Sequence, residues 1–299
     1  MKKILSAISV CAAAVAFAQD NGAAPQVAAQ NTGAAATQQA VAAQPQEKVA
    51  ESIADLDIGA KVLEKFSASV SVGYESEYVF RGIKYAGNSV CPQVDLGYNF
   101  GAGFAAYIGY WGNYEVGRGS DKTYKYGTEE SDLYAGLTYT IKNITLDVGV
   151  INYIYPDDDA DEWEWKAAVS YDTVDLLGDF NVCPSIAYYY NNKYSVNTIE
   201  GGLSYSAPVM KWINGDNWLS IDSSAIVGYI CRESQGRALG DYTYFQLKSD
   251  AVFAITSYCS YSIGIRYSLA SANADWGLYD GTTHSSSRLW FGTSLSFGF

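Results

Sequence analysis

The chain has 299 residues, a formal net charge of −13, 26 Tyr and 28 Gly against six Pro, and a single His. The acidic balance excludes nucleic acid as a partner, because phosphates would be repelled. Tyr, Gly, Ser and Val dominate where Leu, Glu and Lys usually would, which is the profile of strands with one apolar and one wet face.

The first residues read as an export signal. Lys2 and Lys3 precede the apolar run Ile4 to Phe17, and Ala16-Phe17-Ala18 supplies small residues for cleavage ahead of Gln19. A lipid anchor on Cys11 is disfavoured, since Val10 precedes it and cleavage there would cut the apolar run in half. Residues 1–18 are therefore expected to be removed and the rest to leave the cytoplasm. No later stretch reaches the roughly 18 apolar residues of a membrane-spanning helix. Residues 19–46 form an Ala/Gln/Asn/Pro tract without aromatics, too poor in apolar surface to order itself, and read as a tether. In residues 47–65, Val49, Ile53, Leu56, Ala60 and Leu63 recur at helical spacing among Glu, Asp and Lys, predicting a short amphipathic helix.

From Phe66 the period changes to two. Phe66, Ala68, Val70, Val72, Tyr74 and Tyr78 alternate with Ser, Gly and Glu, predicting a strand with one apolar face. The pattern recurs at Val94–Phe100, Phe104–Tyr110, Leu133–Tyr139, Ile144–Val150, Trp163–Tyr171 and Val182–Tyr190. A weaker run at Ile199–Tyr205 follows, then Leu219–Tyr229, Phe245–Phe253, Tyr261–Tyr267 and Leu289–Phe299. About twelve strands of roughly ten residues suit a transmembrane antiparallel up-and-down β-barrel over residues 66–299. With the N-terminus on the periplasmic side, short turns are expected at Gly101–Gly103, Lys142–Asn143, Thr173–Gly178 and Thr256–Ser257. Longer outer loops are expected at Arg81–Val90, Gly112–Ser131, Pro156–Asp161, Cys231–Gly240 and Ala270–Ser286. A long turn at Ala207–Asn217 and a short loop at Asn191–Lys193 break the rule, so the strand count is open by a pair there. A soluble β-sandwich also alternates. The Tyr and Trp near strand ends and the in-phase Leu295, Phe297 and Phe299 favour the barrel.

The segment Ser71-Val72-Gly73-Tyr74-Glu75-Ser76-Glu77-Tyr78-Val79-Phe80-Arg81-Gly82-Ile83 resembles the opening strand of the TorF-type porins, a bacterial outer-membrane family. Ser131–Leu137, Leu146–Val150 and Tyr153–Pro156 are similar to a second block of it. The resemblance implies a pore-like outer-membrane protein and transfers no catalytic residue; the extension before the barrel lies outside it.

Alternation assigns the inner face. It carries the acids Glu75, Glu77, Asp95, Asp132, Asp147, Glu162, Glu164, Glu200, Asp222 and Asp250, against Arg81, Lys166, Lys248, Arg266 and Arg288. An acidic excess in a narrow channel concentrates cations; the competing reading is that these side chains pair across the lumen and close it. The open pore is favoured. Arg81 is either a constriction charge or a structural partner of Glu75 and Glu77, the latter being the stronger reading. Tyr107, Tyr134, Tyr153, Tyr189, Tyr242 and Tyr244 also face inward, as strand formers that fill space or as stacking surfaces for a solute. The acidic run Pro156–Glu162 lacks the glycine and spacing of an EF-hand loop and reads as solvated. His284 stands beside Ser285, Ser286 and Ser287 with no placed acid, so no enzyme is expected. Cys91 and Cys231, or Cys183 and Cys259, share an end of the barrel; those pairings and four thiols remain equal alternatives.

The expectation is an outer-membrane channel for passive diffusion of small hydrophilic solutes or cations, in contact with outer-membrane lipid and without cofactor or metal. The alternative is a structural anchor whose residues 19–65 bind peptidoglycan or a periplasmic partner.

Overall fold

A computed structural model describes residues 65–116, 129–155, 162–177, 182–211, 217–232, 241–271 and 287–298. The expected signal segment, the tether, the helix up to residue 64, Pro156–Asp161, His284 and Phe299 lie outside them.

Twelve antiparallel strands close into a barrel. They are β1 (Phe66–Glu75), β4 (Ser89–Gly101), β5 (Phe104–Glu115), β6 (Glu130–Ile141), β7 (Ile144–Ile154) and β8 (Glu162–Tyr171). The rest are β9 (Val182–Asn191), β10 (Val196–Lys211), β11 (Asn217–Arg232), β12 (Tyr242–Ala254), β13 (Cys259–Ala270) and β14 (Ser287–Gly298). Each pairs with its neighbours in sequence, and β1 closes the ring through Val72↔Leu295 on β14 and Val70↔Val94 on β4. Closure leaves no unpaired edge, which strands in lipid require.

The alternation puts the aliphatic set outside. Leu96, Ile108, Leu137, Val148, Leu203 and Val227 are exposed, whereas Glu162, Glu164, Lys166 and Ser170, one residue out of phase with Trp163 and Trp165, are buried. So continuous an apolar belt is unsustainable in water and is the surface that hydrocarbon covers. Aromatics mark both borders of the belt. At the end where β4–β5 and β6–β7 turn tightly, Phe104 stacks on Tyr139 at 4.3 Å and Tyr98 meets Phe100 edge-on at 5.0 Å. At the long-loop end, outward tyrosines hold polar partners: Tyr74 donates to Asn88 at 2.8 Å, Tyr188 to Asn197 at 2.6 Å and Tyr229 to Asp241 at 2.8 Å. A ring in hydrocarbon with its hydroxyl among polar groups is the usual arrangement at such a border.

The tight turns follow from local backbone chemistry. Gly101-Ala102-Gly103 has φ of 89°, 52° and 89°, and the Lys142 turn has φ of 53°. The structure departs from the sequence expectation of a turn over Ala207–Asn217: Ala207 to Lys211 continue β10 and Asn217 opens β11, while residues 212–216 lie outside the described residues. Ala207 pairs with Ile221 and Met210 with Leu219, with register shifts after Pro208. Among the described residues β9 pairing ends at Tyr205, so Pro208 lies beyond the last β9 pair and its missing N–H is tolerated. The short Asn191 loop is real, Asn191 pairing directly with Val196. Twelve wall strands therefore stand.

A second departure concerns the first strand, which ends at Glu75 instead of reaching Tyr78. Residues 76–88 leave the barrel ladder and form a small hairpin, β2 (Tyr78–Phe80) and β3 (Ile83–Ala86), whose strands pair only with each other. Its side chains are buried: Tyr78, Val79, Phe80, Arg81 and Ala86 are each at most 2% exposed. The expected outer loop is thus folded into the lumen. None of Cys91, Cys183, Cys231 and Cys259 is in a disulfide. The two pairings compatible with the sequence would join strands β4 with β11 and β9 with β13, which are not neighbours.

Candidate functional site

The barrel interior is the site, and glycines make room in it. Gly109 faces Tyr134, Gly136 faces Tyr107, Gly228 faces Tyr244, Gly264 faces Asp250 and Gly292 faces Glu75, each pair directly opposite in register. In every case a Cβ on the glycine would overlap that partner. Long inward side chains therefore lie flat along the wall over a neighbouring glycine.

The charged residues expected on the inner face are buried or half-buried and held in a paired network, with Glu77 and Arg81 on the 76–88 segment rather than on a wall strand. On β1 and β12–β14, Arg266 contacts Asp250 and stands 3.3 Å from Glu75. Lys248 Nζ lies 3.1 Å from Asp250, and Trp290 Nε1 donates to Glu75 at 3.1 Å. On β7 and β8, Lys166 Nζ meets Asp147 at 2.5 Å, and the Tyr107 hydroxyl donates to the other Asp147 oxygen at 3.0 Å. Other acids are held by neutral donors. Asp95 accepts from the Tyr134 hydroxyl, from Gln93 at 3.0 Å and from Ser69 at 3.1 Å. Asp222 accepts from Ser206 at 2.5 Å and from Ser220 at 3.0 Å. Asp132 is buried on β6 beside Glu130, which accepts from Tyr78 at 3.0 Å. At the rim, half-buried Glu77 pairs with Lys84 at 2.7 Å and Arg288 at 3.6 Å. Buried ions need such partners, because desolvation costs several kcal/mol for each one.

The hairpin spans the lumen near the long-loop end. One side, Tyr78, Phe80 and Ala86, packs on Cys91 of β4 and Trp111 of β5. The other, through Ile83, packs on Val196, Ile226, Ile230, Tyr242, Tyr244 and Ala270 of β10–β13. Its two-residue turn, Arg81-Gly82, has φ of 44° and 82°, the left-handed pair that a tight hairpin needs. Arg81 was expected at the mouth beside Glu75 and Glu77. It reaches instead to the far wall, donating from Nη1 to Thr198 at 2.7 Å. Its Nη2 and Nε lie 3.5 Å from Glu164 and 3.7 Å from Glu200, with the guanidinium 5.1 Å from the Tyr189 ring centre. Burial of the acids and bases around this hairpin does not match the open lumen favoured from the sequence.

Sequence reasoning missed the hairpin, Thr198, Glu130 and the Trp290 contact. One signal for the hairpin was available. Tyr78-Val79-Phe80 is a continuous apolar run that breaks the alternation, and the Arg-Gly step after it marks a turn. Tyr153, Tyr189, Tyr242 and Tyr244 are inward and buried, as the alternation requires.

Solved structures of similar outline include an outer membrane channel from Pseudomonas putida, 11% identical over 79% of this chain and 95% of that chain with TM-score 0.49. LpxR from Salmonella typhimurium is 9% identical over 77% and 99%, with TM-score 0.46. The NanC porin is 12% identical over 77% and 98%, with TM-score 0.45. No curated protein matches the chain. The family comparison does not return the TorF-type porins that the opening strand resembles; it matches residues 60–282, nearly the whole barrel, and on that match the chain belongs to the Gcw_chp family, described as bacterial proteins of unknown function.

Proposed function

We propose that the chain is a bacterial outer-membrane channel of porin type, passing small hydrophilic solutes with a preference for cations, and that the conformation described here is its closed state. The long-loop end then faces outward and the short turns face the periplasm. The observation that carries this reading is the charged interior behind an apolar belt. A barrel that served only as an anchor gains nothing from inward ions, since well-packed apolar side chains in place of a buried ion pair are often as stable or more so. Here acids recur along the lumen from Asp222 to Glu77 and outnumber the bases among the charges expected on the inner face. That surplus attracts cations and repels anions once water enters.

The experiment is single-channel recording of the refolded protein in planar bilayers, with a reversal potential in a salt gradient. Beside it runs a variant in which residues 76–88 are replaced by a two-residue turn. Glu75 and Ser89 are directly paired, so this junction spans one hairpin closure and keeps every paired position of β1 and β4, losing only the flanking backbone bonds of Ser76 to Phe291 and of Val116 to Asn88. The intact chain should open rarely, and the shortened one should conduct steadily with the reversal potential on the cation side. A folded, shortened barrel that never conducts overturns the channel.

A further inference from the structure

The surroundings of Arg81 hold more than a latch requires. Four wall elements converge on its guanidinium: Glu164 from β8, the Tyr189 ring from β9, Thr198 and Glu200 from β10, and behind Glu200 the Tyr244 hydroxyl from β12. Two carboxylates, a hydroxyl and an aromatic face are the complement of a planar, multiply donating cation. These groups sit on strands held by the barrel ladder, so the patch does not depend on the hairpin for its shape. Gly228, opposite Tyr244, lets that ring lie flat and carry its hydroxyl to Glu200.

The occupant fits less well than the patch. Arg81 is fixed at the apex of a two-residue turn, and only Nη1 makes a hydrogen bond; Nε and Nη2 face the carboxylates at ion-pair distance without one. A side chain tethered through a strained turn cannot align all of its donors, whereas a free guanidinium can. We infer that Glu164, Tyr189, Thr198 and Glu200 form a guanidinium-binding subsite of the lumen, and that Arg81 is its tethered occupant in the closed state. Withdrawal of the hairpin takes the Arg81 charge away from Glu164 and Glu200, which keep their Tyr153 and Tyr244 contacts, and this favours a guanidinium-bearing solute in its place. The subsite's part in permeation rests on the channel reading; its binding of a guanidinium does not.

The test uses the shortened barrel, with Arg81→Ala in the full chain as a second variant that keeps the hairpin. Methylguanidinium is titrated by calorimetry in detergent, against methylammonium as a compact cation of equal charge. The expected result is saturable methylguanidinium binding about tenfold or more tighter than methylammonium, as one additional charge-assisted hydrogen bond allows. It should vanish when Glu164→Gln and Glu200→Gln are added, and be absent from the intact chain, whose own Arg81 fills the patch. In the Arg81→Ala variant, methylguanidinium should also lower the open probability by restoring the bridge between the wall acids. Equal affinity for the two cations, or binding that survives the double Gln change, overturns the subsite. A shortened barrel that conducts but does not discriminate leaves the channel standing without the subsite. One that binds methylguanidinium but never conducts leaves the subsite standing without the channel.

Discussion

Replacing Lys166 by Met tests whether the lumen charges are buried in the energetic sense. Lys166 Nζ lies 2.5 Å from Asp147, with side-chain exposures of 1% and 0%. The Tyr107 hydroxyl donates to the second Asp147 oxygen at 3.0 Å. Methionine keeps most of the stem but removes the cation, leaving a buried carboxylate with a neutral donor as its remaining support. Breaking such a pair costs about 3–5 kcal/mol. Asp147→Asn alone strands the Lys166 ammonium and should cost a similar amount. The double variant leaves two neutral groups, with Tyr107 still able to donate to the Asn carbonyl oxygen, and should lie within about 1 kcal/mol of the parent. The cycle therefore predicts a coupling energy of about 3 kcal/mol or more. Urea unfolding from lipid vesicles, followed by Trp fluorescence, measures it. If Lys166→Met costs under about 1 kcal/mol, water solvates the pair and the closed-lumen reasoning fails at this level.

Gly82→Val should open the channel without unfolding the barrel. A Cβ there would stand 2.6 Å from that of Ala270 and 3.1 Å from that of Tyr244, at a φ of 82° that costs an L residue about 1–2 kcal/mol; bilayer recordings should show higher open probability with a modestly lowered urea midpoint and the unfolding transition retained, and an unchanged open probability would show that the hairpin is not the closing element. Val148→Arg puts a charge in the belt, at an exposed position paired with Leu137. It should destabilise the barrel by about 2–4 kcal/mol if the site lies near the midplane, and a cost near zero in vesicle unfolding would misplace the membrane. Trp290→Phe deletes the Nε1 donor to Glu75 and should cost about 1–2 kcal/mol, with the loss suppressed in a Glu75→Met background that removes the acceptor; full loss in both backgrounds would assign the effect to packing.

Much of the barrel was legible along the chain because strand alternation is a local signal. Trp163 and Trp165 against Glu162, Glu164 and Lys166 state which face meets lipid without knowledge of any partner strand. The inward charges were read from the same parity, which does not apply to Glu77 and Arg81, since β1 ends at Glu75. The β10 end was misread because Pro208 is a turn signal by composition, and only the early end of β9 pairing makes it harmless in a strand. The hairpin was misread because a segment leaving one wall strand and returning to the next looks like an outer loop; its burial depends on walls contributed by residues more than a hundred positions away.

By itself the sequence determined the period-two strands and their apolar faces, since each rests on residues at most a few positions apart, while it left the strand number open by a pair around Ala207–Asn217. Tertiary structure alone decided what fills the lumen. Arg81 meets Glu164 and Glu200 only when β8 and β10 curve around to face β1. Whether an inward charge lines water or neutralises another depends on distances across the closed ring, and parity along a strand carries no information about those distances.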